Sequence, residues 1–171
     1  MLAALRLYLL DATSEVAASV AGLCRSLKDL GQRQGDIDLP GTTHMQAAMP
    51  STVALWCGGF AEGFEDSLQG LDGARRRLGK NPLGSAVGYG TPGLPIDRDA
   101  TTAALGFAET QEPITAVQLF RGKAKNGLLF ELTLLLQDLG RLAADLLLYY
   151  TKEFHYIDLV PEVTTGSSIM P

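Results

Sequence analysis

The sequence predicts an all-α fold, a long-helix bundle, and three observations carry that prediction. Apolar residues recur at spacings of three and four over three separate stretches, the repeat of a packed helix seam. Clusters of glycine and proline punctuate the chain between them, and no segment alternates strongly enough to propose a sheet. The composition is that of one soluble globular domain: 171 residues, 46% hydrophobic, 19% charged, net charge −5. A chain of this size buries roughly 70% of its unfolded surface, so it needs neither metal nor disulfide staples.

The first helix is expected over about 2–30, where Leu2, Leu5, Leu9, Ala12, Val16, Val20, Leu23, Leu27 and Leu30 form one seam and Gly31 is placed as its C-terminal stop. It opens at the first residue without a cap, which reads as a truncated start. Residues 31–50 form a connecting loop punctuated by Gly31, Gly35, Pro40, Gly41 and Pro50, with His44 inside it. A second helix, about 51–78, follows with Val53, Trp56, Phe60, Phe64, Leu68, Leu71 and Leu78 on its seam. Residues 79–113 are dense in glycine and proline and read as an extended, irregular connection with at most one short helix near 99–106. A loop that long in a compact domain usually has a job. The third helix, about 114–151, carries Leu128, Leu132, Leu135, Leu139, Leu142 and Leu146 on one stripe and is apolar beyond it, so it requires cover on several sides. Residues 152–171 form a final loop that stops without any terminating signal.

Charge and chemistry exclude several function classes. A net negative chain has no long-range reason to approach nucleic acid or an anionic membrane, and Arg75, Arg76 and Arg77 read as the solvated end of the second helix, where cations complement the dipole. Arg6, Asp11 and Glu15 interrupt any signal-like region at the start. Glu131, Asp138, Arg141 and Asp145 recur through 128–150, which a membrane span would not tolerate. Cys24 and Cys57 lie far apart on helices and read as core residues in a reducing compartment. With only His44 and His155 present, no set of residues has metal-ligand spacing. His155, between Phe154 and Tyr156, reads as a structural loop histidine. His44 sits among Thr42, Thr43 and Gln46, whose hydroxyls and amide could fix its tautomer. Gly166, Ser167 and Ser168 offer backbone N–H groups and two hydroxyls, a plausible oxyanion-stabilising loop, although such a string is also commonplace in linkers. Gly88, Gly90 and Gly93 neither follow a strand nor open a helix, so no dinucleotide fingerprint is assigned.

The string Gly-Thr-Thr-His-Met-Gln at 41–46, followed by Pro50, resembles the Thr-His-x-Gln loop of the fumarase, aspartase and argininosuccinate lyase superfamily. Gly-Ser-Ser-Ile-Met-Pro at 166–171 resembles the first half of that superfamily's signature. Within the superfamily, Asn81 to Gly84, Pro95 to Asp99, Leu105 to Phe107, and Glu153-Phe154 are similar to the argininosuccinate lyase branch. The resemblance spans the whole chain. It implies reversible, cofactor-free elimination of argininosuccinate to arginine and fumarate in the cytoplasm. Ser167 is implied as the general base that removes the Cβ proton and His44 as the catalytic histidine, with Thr43, Gln46 and Ser168 holding substrate. It also implies that the chain holds three of the five helices of a central helical domain and associates as a homotetramer, each active site drawing loops from three subunits.

The departures from that pattern matter too. The superfamily's Ser-Arg-Asn-Asp-Gln loop would fall just before Met1, and its lysine and asparagine just after Pro171. Residues 118–121, Gln-Leu-Phe-Arg, differ from the usual Ser-Asp-Arg-Asp-like tetrad. The expectation is therefore a central portion of such an enzyme, with little activity by itself and exposed apolar helix faces. One rival is another lyase of the superfamily, such as an adenylosuccinate lyase, which Asn81–Gly84 and Pro95–Asp99 count against. The other is a non-catalytic helical oligomerisation module that keeps the motifs as relics, as structural crystallins of this family do.

Overall fold

The computed structural model describes residues 1–166 and Ile169; Ser167, Ser168, Met170 and Pro171 lie outside the described residues. Three long helices dominate it: α1 (Leu2–Gln34), α2 (Val53–Leu78) and α5 (Lys123–Tyr149), as expected for an all-α bundle. Between them lie β1 (Thr42–Thr43), β2 (Gln46–Ala47), β3 (Lys80–Asn81), α3 (Arg98–Leu105), β4 (Glu109–Thr110) and α4 (Ala116–Leu119), and a 3₁₀ turn follows at Pro161–Val163.

α2 is the middle helix, packed antiparallel against both others. On one side Lys28 pairs with Glu65 at 2.5 Å and Cys24 Sγ contacts the Ala61 carbonyl. On the other, Trp56 Nε1 donates to Asp145 Oδ2 at 2.9 Å. The seams meet as the periodicity requires: Phe64, Leu71 and Leu78 of α2 are fully buried among Val20, Cys24 and Leu27 of α1 and Leu128, Leu135 and Leu142 of α5. Each such apolar side chain contributes roughly 1.5–3 kcal/mol by leaving water. α1 is long and apolar enough to cross a membrane by length and composition alone, yet it buries Arg6 and Thr13 and packs along α2. Those are the habits of a bundle helix.

Two helix boundaries differ from the sequence reading. α1 continues through Gly31 to Gln34, with Gly35 as its C-cap. Gly31 lacks a side chain for a different reason: a Cβ there would lie 3.3 Å from Cys57 Cβ, so the glycine lets α1 approach α2. The helix expected over 114–151 is two helices, α4 and α5. The chain leaves helical geometry at Phe120 (φ −115°, ψ 30°), and α5 starts afresh after Gly122. Buried Val117 anchors α4 independently of the leucine stripe.

Short strands, which no alternation announced, close both ends of the bundle. β1 and β2 form an antiparallel hairpin pairing Thr42 with Ala47 and Thr43 with Gln46, while β3 and β4 pair in parallel. The glycine-rich connection is held by polar side chains instead of a core. Asn81, fully buried, donates through Nδ2 to the hydroxyls of Thr101 and Thr102 and accepts from the Leu83 N–H at 3.0 Å. Arg98 donates to the Leu83 and Gln111 carbonyls and pairs with Glu112. α3, expected near 99–106, is capped by Asp97, which accepts from the Ala100 N–H, and stopped by Gly106 at φ 73°.

Candidate active-site end of the bundle

The C-terminus of α1, the N-terminus of α2 and the C-terminus of α5 share one end of the bundle, and the hairpin with Thr43, His44 and Gln46 lies between the first two. The hairpin carrying His44 leaves this end on a backbone ladder. The Leu39 N–H donates to Ser51, the Val53 N–H to Ile37, and Gly41 and Met49 pair at 2.9 Å. Gly41 is obligatory in that ladder, since a Cβ there would sit 2.8 Å from the Met49 carbonyl oxygen. Leu39, 7% exposed, anchors the stem, and Thr52 caps α2 by accepting from the Leu55 N–H.

His44 and Met45 occupy the two-residue tip with φ of 51° and 61°. Two successive left-handed residues are the turn that matches the twist of paired strands, a place normally taken by Asn-Gly. Filling it with residues that have a Cβ costs about 1–2 kcal/mol each. The tip thus presents His44 to solvent on a strained turn. Thr43, His44, Met45 and Gln46 are all exposed, and none of the side chains of Thr43, His44 and Gln46 makes a hydrogen bond among the described residues. The expected fixing of the His44 tautomer by its neighbours is not made among the described residues.

The tail after α5 turns back onto the same end. The Tyr156 N–H donates to the Tyr149 carbonyl at 2.9 Å, and Trp56, Tyr149, Tyr156 and Phe154 form a continuous run of ring contacts 5.4–5.9 Å apart. This holds the start of the tail against the first turn of α2. His155 is exposed and pairs with Asp158 at 2.9 Å, in keeping with a structural loop histidine. Ser167 and Ser168 lie outside the described residues, so their relation to His44 is not part of this geometry. Among the described residues no group of three His, Cys, Asp or Glu side chains could hold a metal ion.

Both cysteines are buried, and burial pushes each thiol above its ordinary pKa, which suits packing and opposes nucleophilic use. The opposite end of the bundle, about 40 Å away along α2 at 1.5 Å per residue, holds α3, α4 and the Gln118–Arg121 segment. Sequence reasoning missed buried Arg6 there. Its signal was available: a lone cation one turn from both Leu2 and Leu9, inside the first seam.

The sequence profile of the lyase family matches residues 1–171. The chain belongs to the lyase family. Its relatives in that family include argininosuccinate lyases. That of Parabacteroides distasonis is 39% identical over 167 residues, covering 98% of this chain and 37% of the relative. That of Stenotrophomonas maltophilia is 41% identical over 171 residues, covering 100% of this chain and 39% of the relative. The chain therefore spans under two-fifths of the length of these lyases. Among solved structures, an EDDS lyase in complex with formate superposes with a TM-score of 0.91 at 25% identity, over 96% of this chain and 33% of that one. A variant EDDS lyase with bound fumarate matches equally well. The helical-bundle fold is thus that of family lyases, and the chain corresponds to one part of them.

Proposed function

We propose that this chain contributes to an argininosuccinate lyase, a carbon–nitrogen lyase that eliminates arginine from argininosuccinate to leave fumarate, in the cytoplasm and without a cofactor. The observation that best supports this reading is the strained, outward-facing His44 tip on the end of the bundle toward which the 152–166 tail returns. Strain at a rigidly held polar residue is a recognised mark of functional sites. In the proposed reaction Ser167 removes the Cβ proton, and the backbone N–H groups of its loop stabilise the dianionic aci-carboxylate that results. His44 assists the proton at the departing nitrogen, while Thr43, Gln46 and Ser168 hold the succinyl carboxylates. The C–N bond then breaks with its electrons going to nitrogen, and the Cα–Cβ double bond of fumarate forms.

The substrate carries three carboxylates, and the residues proposed to hold it, Thr43, Gln46 and Ser168, are uncharged. Completion by further chain and by other copies, a tetramer in this proposal, supplies what is missing. The exposed Leu129, Phe130, Leu136 and Leu147 on α5 favour such association. A second reading, elimination from another amino-dicarboxylate, draws on the EDDS lyase likeness. The test is fumarate release, followed by ultraviolet absorbance, from argininosuccinate and from ethylenediaminedisuccinate. It is run on the 171-residue chain and on the same chain joined to the flanking segments of its relatives, each with Ser167→Ala. Activity toward argininosuccinate that Ser167→Ala abolishes supports the first reading. Turnover of the other substrate alone selects the second, and turnover untouched by Ser167→Ala removes the assigned base.

A further inference from the structure

At the end of the bundle away from the hairpin, three cations converge without an acid partner. Arg6 of α1 is 2% exposed. One guanidinium nitrogen, Nη1, donates to the Lys80 carbonyl and to Gln111 Oε1 at 2.8 Å; Nε and Nη2 make no hydrogen bond among the described residues. Arg77, in the last turn of α2, and Lys123, the first residue of α5, face the same hollow. No carboxylate among the described residues pairs with any of the three. The nearby acids are engaged elsewhere, Glu109 with Lys80 at 2.8 Å and Glu112 with Arg98. α5 also opens here behind Gly122 with no side-chain cap, adding the positive end of its dipole.

A buried guanidinium without a counter-charge is strongly unfavourable, and burial alone already pushes Arg6 below its ordinary pKa. In a chain of net charge −5, such a local concentration of positive charge is a specific feature. The hollow has a volume of about 390 Å³, within the range of small-ligand sites. One wall is apolar, formed by Pro113, Ala116 and Phe120, with the Lys123 ammonium 5.2 Å from the Phe120 ring centroid; Lys80, Gln111 and Glu112 complete the lining, the Glu112 carboxylate being taken up by Arg98. That volume and lining exceed what a bare inorganic anion would fill.

We propose that this pocket binds a small carboxylate bearing a short apolar arm, the carboxylate meeting Arg6, Arg77 and Lys123 and the arm lying against Pro113, Ala116 and Phe120. A planar carboxylate suits the free edge of the Arg6 fork, as bidentate arginine pairs do. The site is independent of the lyase reading, since none of its residues is assigned a role in that reaction.

The experiment is isothermal titration of the 171-residue chain with valerate. Pentanamide serves as the uncharged isostere and inorganic phosphate as the anion without an arm. Expected are saturable valerate binding in about the millimolar range and binding of pentanamide and phosphate at least ~10-fold weaker. Arg77→Gln and Lys123→Gln are exposed substitutions that leave the far-ultraviolet dichroism unchanged; each weakens valerate about 3- to 10-fold, the loss of one partly screened charge. Absence of saturable binding up to roughly 50 mM would overturn the proposal. So would equal binding of pentanamide, equal binding of phosphate, or indifference to both substitutions, since each leaves no specific carboxylate site.

Discussion

Replacing Gly35 by alanine sets two physical arguments against each other. Gly35 caps α1 at φ −64° and ψ −28°, a right-handed conformation that alanine prefers. Propensity and unfolded-state entropy alone therefore predict a gain of about 0.5–1 kcal/mol. Geometry predicts the reverse. A Cβ at this position would lie 2.1 Å from the Gly31 carbonyl oxygen and 2.9 Å from Ala54 Cβ. The first neighbour is backbone and cannot swing aside, so relief requires moving the end of α1 by about 1 Å against the first turn of α2. Overpacking of that kind costs about 1–3 kcal/mol, and the shift also endangers the hydrogen bond from the Ala54 N–H to the Gly35 carbonyl, worth about 1 kcal/mol. The sum is a net destabilisation of about 1–3 kcal/mol. Gly59→Ala is the matched control: Gly59 lies exposed inside α2 with nothing within 4 Å of its would-be Cβ, so the same chemical change stabilises by about 0.5–1 kcal/mol. Urea unfolding followed by far-ultraviolet dichroism, at fixed protein concentration so that association does not intrude, reads both. A Gly35→Ala protein as stable as the parent would show that the close approach of α1 and α2 is wrong.

Phe64→Ala removes a fully buried ring from the middle helix and is expected to cost about 3–5 kcal/mol in the same urea experiment, against under ~0.5 for Leu55→Ala on the exposed face of α2. The Cys24 and Cys57 thiols are expected to resist iodoacetamide in the native chain and to react at once in urea. Since their folded pKa values lie above the unfolded ones, the folded state binds more protons, so stability falls as pH rises through the unfolded thiol range near about 8.5. Stability that climbs between mildly alkaline and more alkaline buffer would contradict that sign. In an active assembly under the proposed chemistry, His44→Asn is expected to lower kcat for fumarate release about 10²- to 10⁴-fold with the fold intact, and a mere change in KM would demote His44 to substrate binding.

How legible the molecule was from its residues can be judged element by element. The helix class and the three seams followed from period, because a side chain's place on a helix is set by its own spacing. Leu128, Leu135 and Leu142 are buried as that stripe requires. Gly31 was misjudged for an equally clear reason. A glycine stops a helix through its own backbone freedom but permits a close crossing through what lies opposite it, and only the second depends on residues more than twenty positions away. The break at Phe120–Gly122 and the two strand pairs belong with it, since each rests on contacts that no local period records.

The candidate site divides in the same way. Residues 41–46 and 166–171 carried the family resemblance by themselves, because the chemistry of a loop histidine and a serine pair is written in residue identity. That His44 stands at the tip of a left-handed turn, and that the tail curls back through Tyr149 and Tyr156 to the same end of the bundle, was decided by tertiary packing. So was the meeting of Arg6, Arg77 and Lys123 from three different helices. Their separation in sequence hides a proximity that only the antiparallel bundle creates.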